Sequence, residues 1–148
     1  LVELDLDRRL PEAMSFELHP TLARDTLPVA ELGISQLLLM NDARFPWCIL
    51  VPQRVAVSEW HHLPPTEQVT VMEEITAVSN FLEHLPQVSK LNVGALGNRV
   101  PQLHIHVLGR HPDDPAWPDP VWGFGTPVAY EERAADLLVR QLRAALTS

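Results

Sequence analysis

The chain has 148 residues, 46% of them hydrophobic, which suits one compact domain with a real core, so residues 1–148 are read as a single domain. A net charge of -8 excludes the broad Lys/Arg surface that a nucleic-acid polymer needs as a partner, but leaves a single nucleotide possible. The lone Cys48 cannot form an internal disulfide, Leu1–Arg9 alternates apolar and charged residues without a signal-like run, and no stretch reaches membrane-spanning length; the expectation is a soluble cytoplasmic protein with no membrane partner.

In chain order, Leu27–Leu32, Ser35–Asn41 and Trp47–Val51 read as short strands, separated by Gly33 and by the polar turn Asn41-Asp42-Ala43-Arg44. Such close spacing fits an antiparallel meander. After Pro64 and Pro65, the residues Val71, Ile75, Val78, Leu82 and Leu85 recur at helical intervals until Pro86. Two more strands, Leu91–Ala95 and Leu103–Leu108, flank the Gly97-Asn98 turn. Pro112, Pro115, Pro118, Pro120 and Pro127 mark a long loop, and Ala135, Leu138, Leu142 and Ala145 form the stripe of a last helix. The fold class is α+β: an antiparallel β-sheet of about five strands with one long central helix and a C-terminal helix.

Chemistry concentrates in Gln102-Leu103-His104-Ile105-His106-Val107-Leu108. Strand side chains alternate faces, so Gln102, His104 and His106 form one row while Leu103, Ile105 and Val107 turn toward the core. Neutral imidazole is a nucleophile and proton carrier near neutral pH, and a rigid strand can hold it in line with phosphorus. On spacing alone two other readings stay open. The histidines could line the solvent face of a half-exposed strand, or they could share a metal ion, although no Glu lies between Val107 and Tyr130 to complete such a cage. Only Asp113, Asp114 and His111 stand near in sequence.

The run Asn92-Val-Gly-Ala-Leu-Gly97-Asn98-Arg99-Val-Pro-Gln102-Leu-His104-Ile-His106-Val-Leu-Gly109-Arg110 resembles the signature of the histidine-triad (HIT) family, His-φ-His-φ-His-φ-φ with φ apolar. The earlier Leu38-Leu39-Met40-Asn41-Asp42 and Ile49-Leu50-Val51-Pro52 also resemble that family, in its order, so the likeness spans roughly Ser35 to Arg110. It implies a HIT-like domain acting as a nucleotide hydrolase or nucleotidyl transferase on a purine nucleotide conjugate such as a phosphoramidate or dinucleoside polyphosphate. His104 would attack the α-phosphorus and become a transient nucleotidyl-imidazole. His106 would contact phosphate oxygens, joined by Asn92 and the Gly97-Asn98-Arg99 turn, and Asn41 or Asp42 would accept from ribose hydroxyls. The resemblance also implies a homodimer joined through the long helix and a strand, and a reaction that requires neither cofactor nor metal.

Two residues depart from the pattern. Gln102 stands at the leading triad position, where it can hydrogen-bond phosphate but cannot shuttle a proton. Trp47 stands where many members carry another His two strands away, just before the Ile49-Leu50-Val51-Pro52 run. Proton delivery then falls to His106, to the substrate, or to His61, His62 or His111. Trp60, Trp117 and Trp122 are candidates to cover a base. The alternatives to turnover are a nucleotide-binding or sensing module and a His-ligated metal protein.

Overall fold

The structure, a computed structural model, describes residues 15–147. The opening stretch Leu1–Arg9 lies outside them. A short helix α1 (Pro20–Asp25) runs directly into strand β1 (Thr26–Glu31), followed by β2 (Ser35–Met40) and β3 (Trp47–Pro52). A 3-10 turn, Trp60–His62, precedes the long helix α2 (Pro65–Glu83), and β4 (Lys90–Gly94), β5 (Ile105–Arg110) and α3 (Glu132–Leu146) complete the chain. The five strands form one sheet in the order β1-β2-β3-β5-β4, with every neighbouring pair antiparallel. The expected α+β architecture is present, with α1 as an additional helix.

Strand ends shift by a residue or two from the sequence reading, and three features differ from it more. The strand expected over Leu103–Leu108 is β5 at Ile105–Arg110, because residues 95–104 form an irregular connection and Leu103 N–H bonds the Val57 carbonyl outside the sheet. Trp47 is not two strands from the histidines in space: β5 inserts beside β3, pairing Trp47 with Leu108 and Ile49 with His106. In α3 the buried stripe is Ala135, Val139 and Leu142, whereas Ala145 is exposed.

Alternation along each strand gives the sheet two apolar faces. Leu37, Leu39, Cys48, Leu50, Ile105 and Val107 pack beneath α2 and α3, against Val78, Leu82 and Leu142. Leu38, Trp47, Ile49, Val51 and Leu108 face the other way and are covered by Phe45, Leu22 of α1 and Val121 of the Pro-rich segment. Every residue of β3 and β5 is therefore buried, the condition of central strands sandwiched on both sides. Glu74 of α2, itself buried, accepts from the backbone N–H groups of Ile34 and Ser35 and from Ser35 Oγ, tying the helix to the β1–β2 hairpin. Among the described residues no helix is long and apolar enough to cross a membrane.

Candidate active site

His104 and His106 lie on the face covered by α1 and the Pro-rich segment, with ring centroids 4.9 Å apart. They are 7% and 6% exposed, so the solvent-face reading of the histidine row is corrected. The row turns inward because a second layer of chain folds over it.

Each ring is held by one hydrogen bond at Nδ1, and the partners impose opposite tautomers. The Gln102 carbonyl can only accept, so His104 Nδ1 carries its proton and donates at 2.7 Å, leaving Nε2 with a free lone pair. The Trp47 indole can only donate, at 3.0 Å, so His106 Nδ1 is the unprotonated nitrogen and Nε2 carries the proton. Burial, with the repulsion a protonated His104 would add, pushes the His106 imidazole down to about 3, so it is neutral near pH 7. Trp122 stacks edge-on against both His106 (5.4 Å) and Trp47 (6.5 Å). Its ring fits because Gly94 lies beneath it: a Cβ there would stand 3.3 Å from Trp122 Cη2, and Gly94 is the register partner of His106.

The other residues singled out by sequence have these placements. The Gln102 carboxamide points to the N-terminal segment, accepting from His19 N–H at 2.9 Å and donating to the Glu17 carbonyl at 2.8 Å. Asn92 Oδ1 accepts from Arg110 Nη1 at 2.8 Å. Asn98 and Arg99 are exposed in the turn where Gly97 adopts φ +71°, with no side-chain partner among the described residues. Asn41 Oδ1 accepts from Tyr130 N–H at 2.9 Å. Asp42 is fully buried, paired with Arg44 at 2.8 Å, and also accepts from Val128 N–H. Burial alone would raise its carboxyl, but the Arg44 side chain and the two backbone donors outweigh burial and hold it below the usual carboxylate range.

Sequence reading did not anticipate the two arginines that organise this face. Arg44 bridges Asp42 to the Phe124 carbonyl, pinning residues 123–130 to the end of β2. Arg110, only 1% exposed, holds Asp114 through two hydrogen bonds of 2.6 and 3.1 Å, and the Asp119 carbonyl at 2.8 Å. Together they fix the segment that delivers Trp122 onto His106. Beside Trp47, on the same sheet face, opens a cavity of about 390 Å³ lined by Arg24, Met40, Asn41, Trp47, Val121 and Phe124. Trp47 thus both lines the cavity and bonds His106.

His61 and His62 occupy the 3-10 turn whose neighbours Trp60 and Leu63 pack toward α2 and Ile105, on the opposite sheet face from His106. His111 follows β5, five residues beyond His106 and so about 16 Å along the strand direction. Trp117 lies by the Arg110 guanidinium, 5.6 Å from its ring centre.

The HIT domain profile matches residues 24–113. Three solved structures are similar over nearly their whole length. A histidine triad protein of Bradyrhizobium japonicum is 39% identical with a TM-score of 0.87, the match covering 89% of this chain and 98% of that one. One of Sinorhizobium meliloti is 42% identical, TM-score 0.86, covering 88% and 97% respectively. One of Marinobacter aquaeolei is 42% identical, TM-score 0.86, covering 89% and 96%. No curated protein matches the chain. With His104 and His106 at the start of β5, on the covered face of the sheet, and this extent of likeness, the chain belongs to the histidine-triad (HIT) family of nucleotide-binding hydrolases and transferases.

Proposed function

We infer that the protein cleaves a purine nucleotide conjugate at its α-phosphorus, by nucleophilic attack of His104 Nε2 and release of the nucleotide from a nucleotidyl-histidine. The observation that carries this reading is the tautomer of His104. Its Nδ1–H is committed to the Gln102 carbonyl, which leaves Nε2 as a positioned nucleophile beside a second ring that presents an N–H. The cavity beside Trp47 has room for a nucleoside on the same sheet face. Neither cofactor nor metal enters the proposed step.

The partners of Gln102, Asn92, Asn41 and Asp42 bear on the roles of these residues. Each already bonds protein groups, so phosphate and ribose contacts would fall to His106, to the exposed Asn98 and Arg99 with Gly97, and to unoccupied valences such as Asn41 Nδ2. The same observation favours a second reading, a nucleotide-binding or sensing module with little turnover.

A homodimer belongs to the proposal. β4 is an edge strand, and around it Trp60, Met72 and Val93 are exposed apolar side chains bordering a hollow of about 200 Å³ on the α2 side. A second copy pairing β4 with β4 would cover both the open strand edge and this patch.

The deciding experiment measures turnover of adenosine phosphoramidates, dinucleoside polyphosphates and a nucleotide sugar by the wild type and by His104→Ala. The expected result is turnover by the wild type, an acid-labile nucleotidyl adduct, and loss of both in the variant. Nucleotide binding without turnover would establish the sensing module instead.

A further inference from the structure

We propose that Trp47 fixes His106 as the neutral Nε2–H imidazole, a standing hydrogen-bond donor to the substrate's phosphoryl oxygen and not an acid, so that the site expels leaving groups that are stable as anions. The proposal rests on the nucleotidyl-transfer reading above and adds to it the role of Trp47 and the class of leaving group.

The argument is one of hydrogen-bond inventory. Indole nitrogen has a proton and no lone pair to offer, so a 3.0 Å contact from Trp47 Nε1 requires a lone pair on His106 Nδ1. Adding a proton to that nitrogen would set N–H against N–H in a buried site. Surrendering the Nε2 proton would leave an imidazolate, which is inaccessible near neutral pH. His106 therefore neither takes up nor gives up a proton during the reaction; it stabilises charge on phosphorus oxygens through Nε2–H.

The surroundings reinforce this. Trp122 closes one side of His106 and Trp47 another, and His104 is the only titratable side chain in ring contact with it among the described residues. Burial disfavours the imidazolium, and His104 would repel it whenever His104 is itself protonated, as it is once its Nε2 is bonded to phosphorus. Other histidines do not fill the role. His61, His62 and, at the end of α2, His84 lie across the sheet, His111 lies past the end of β5, and the Nδ1 lone pairs of His111 and His19 are occupied by the Asp113 and Thr21 N–H groups.

The chemistry balances without an acid for one class of substrate. His104 Nε2 forms a bond to the α-phosphorus as the bond from phosphorus to the leaving oxygen breaks, and the bonding pair departs on that oxygen as a phosphate or polyphosphate anion. Water then attacks the phosphorus, the N–P pair returns to His104 Nε2, and one proton passes to solvent. An alkylamine leaving group would need a proton that none of these residues supplies. Phosphoanhydrides are thus favoured over alkyl phosphoramidates.

Two measurements test this. Long-range ¹H–¹⁵N correlation spectra of the His106 imidazole are expected to show a protonated Nε2 and a bare Nδ1 in the wild type, and tautomer exchange in Trp47→Phe. A series of adenosine 5′-aryl phosphates is expected to lose rate steeply, about tenfold for each unit of leaving-phenol pKa, as for departure without proton transfer. Trp47→Phe, which keeps an aromatic ring on the cavity wall but removes the N–H, should lower kcat about tenfold or more, a larger change than in KM, and Trp47→His, which restores a ring N–H, should recover part of it. A proton found on Nδ1, or a tautomer and kcat indifferent to Trp47→Phe, overturns the role of Trp47. A flat dependence on the leaving group overturns the absence of an acid. If no ester is turned over, the nucleotidyl-transfer reading and the leaving-group inference both fall, while the spectra decide the hold of Trp47 on His106 by themselves.

Discussion

Gln102 and His19, 83 positions apart, are joined as two strands would be: the carboxamide oxygen accepts the His19 N–H, and the carboxamide nitrogen donates to the carbonyl of Glu17 on the same segment. At the leading position of the family's triad, a side chain that could have faced substrate instead holds the N-terminal segment over the histidine face. Replacing it with Ala leaves a backbone donor and acceptor without these partners, a loss of about 1–2 kcal/mol. Gln102→Ala should therefore show a lower urea midpoint, with faster amide exchange over residues 16–22; unchanged exchange there would refute the tether.

Arg110 and Asp114 form a buried pair, each side chain 2% exposed. Breaking it from one side strands a carboxylate inside the protein, which costs about 3–5 kcal/mol. The expected result for Arg110→Met is destabilisation of that order by chemical denaturation, with red-shifted tryptophan emission as Trp117 and Trp122 are released. Arg110→Met combined with Asp114→Leu should recover much of the loss, because neither charge then remains buried.

Acid should weaken the fold through the same carboxylates. Burial would raise both Asp42 and Asp114, yet bonds from Arg44 and Arg110 and from backbone N–H groups hold both below the ordinary value of 3.8. A carboxyl depressed in the folded state contributes stability that is fully present above its unfolded pKa and is lost as pH falls through its folded one. Unfolding free energy measured from pH 7 to pH 2 should thus drop below about pH 4. Asp42→Asn and Asp114→Asn should be less stable at pH 7 and should show a shallower acid limb.

The open edge of β4 and the exposed Met72 and Val93 next to it give the homodimer a direct test. Sedimentation velocity of the wild type is expected to give a dimer, and Met72→Glu with Val93→Glu a monomer that keeps its circular dichroism. A monomeric wild type would remove the homodimer from the proposal.

Much of the fold was legible in the sequence, since the elements are written in local periodicity. The stripe Val71, Val78, Leu82 marked the helix whose same residues are buried in α2, and alternation in Leu103, Ile105, Val107 marked the side that meets α2 and α3. The short α1 carried no such signal: six residues with one buried leucine make too little of a stripe to stand out from a loop. The strand start at Leu103 was misplaced because alternation continues into an extended segment whose hydrogen bonds leave the sheet.

The sequence by itself determined the α+β class, the family, and the presence of His104 and His106 two residues apart on one face, because these follow from side-chain period and spacing along a single stretch of chain. Only the tertiary structure decided what those imidazoles can do. Which nitrogen carries each proton depends on the Gln102 carbonyl for His104 and on Trp47 for His106, the latter 59 positions distant and brought near by β5 inserting beside β3. Likewise, Gln102, Asn92 and Asp42 are spoken for by Glu17, Arg110 and Arg44, and a buried polar group must find its partner wherever the packing of the whole chain places one.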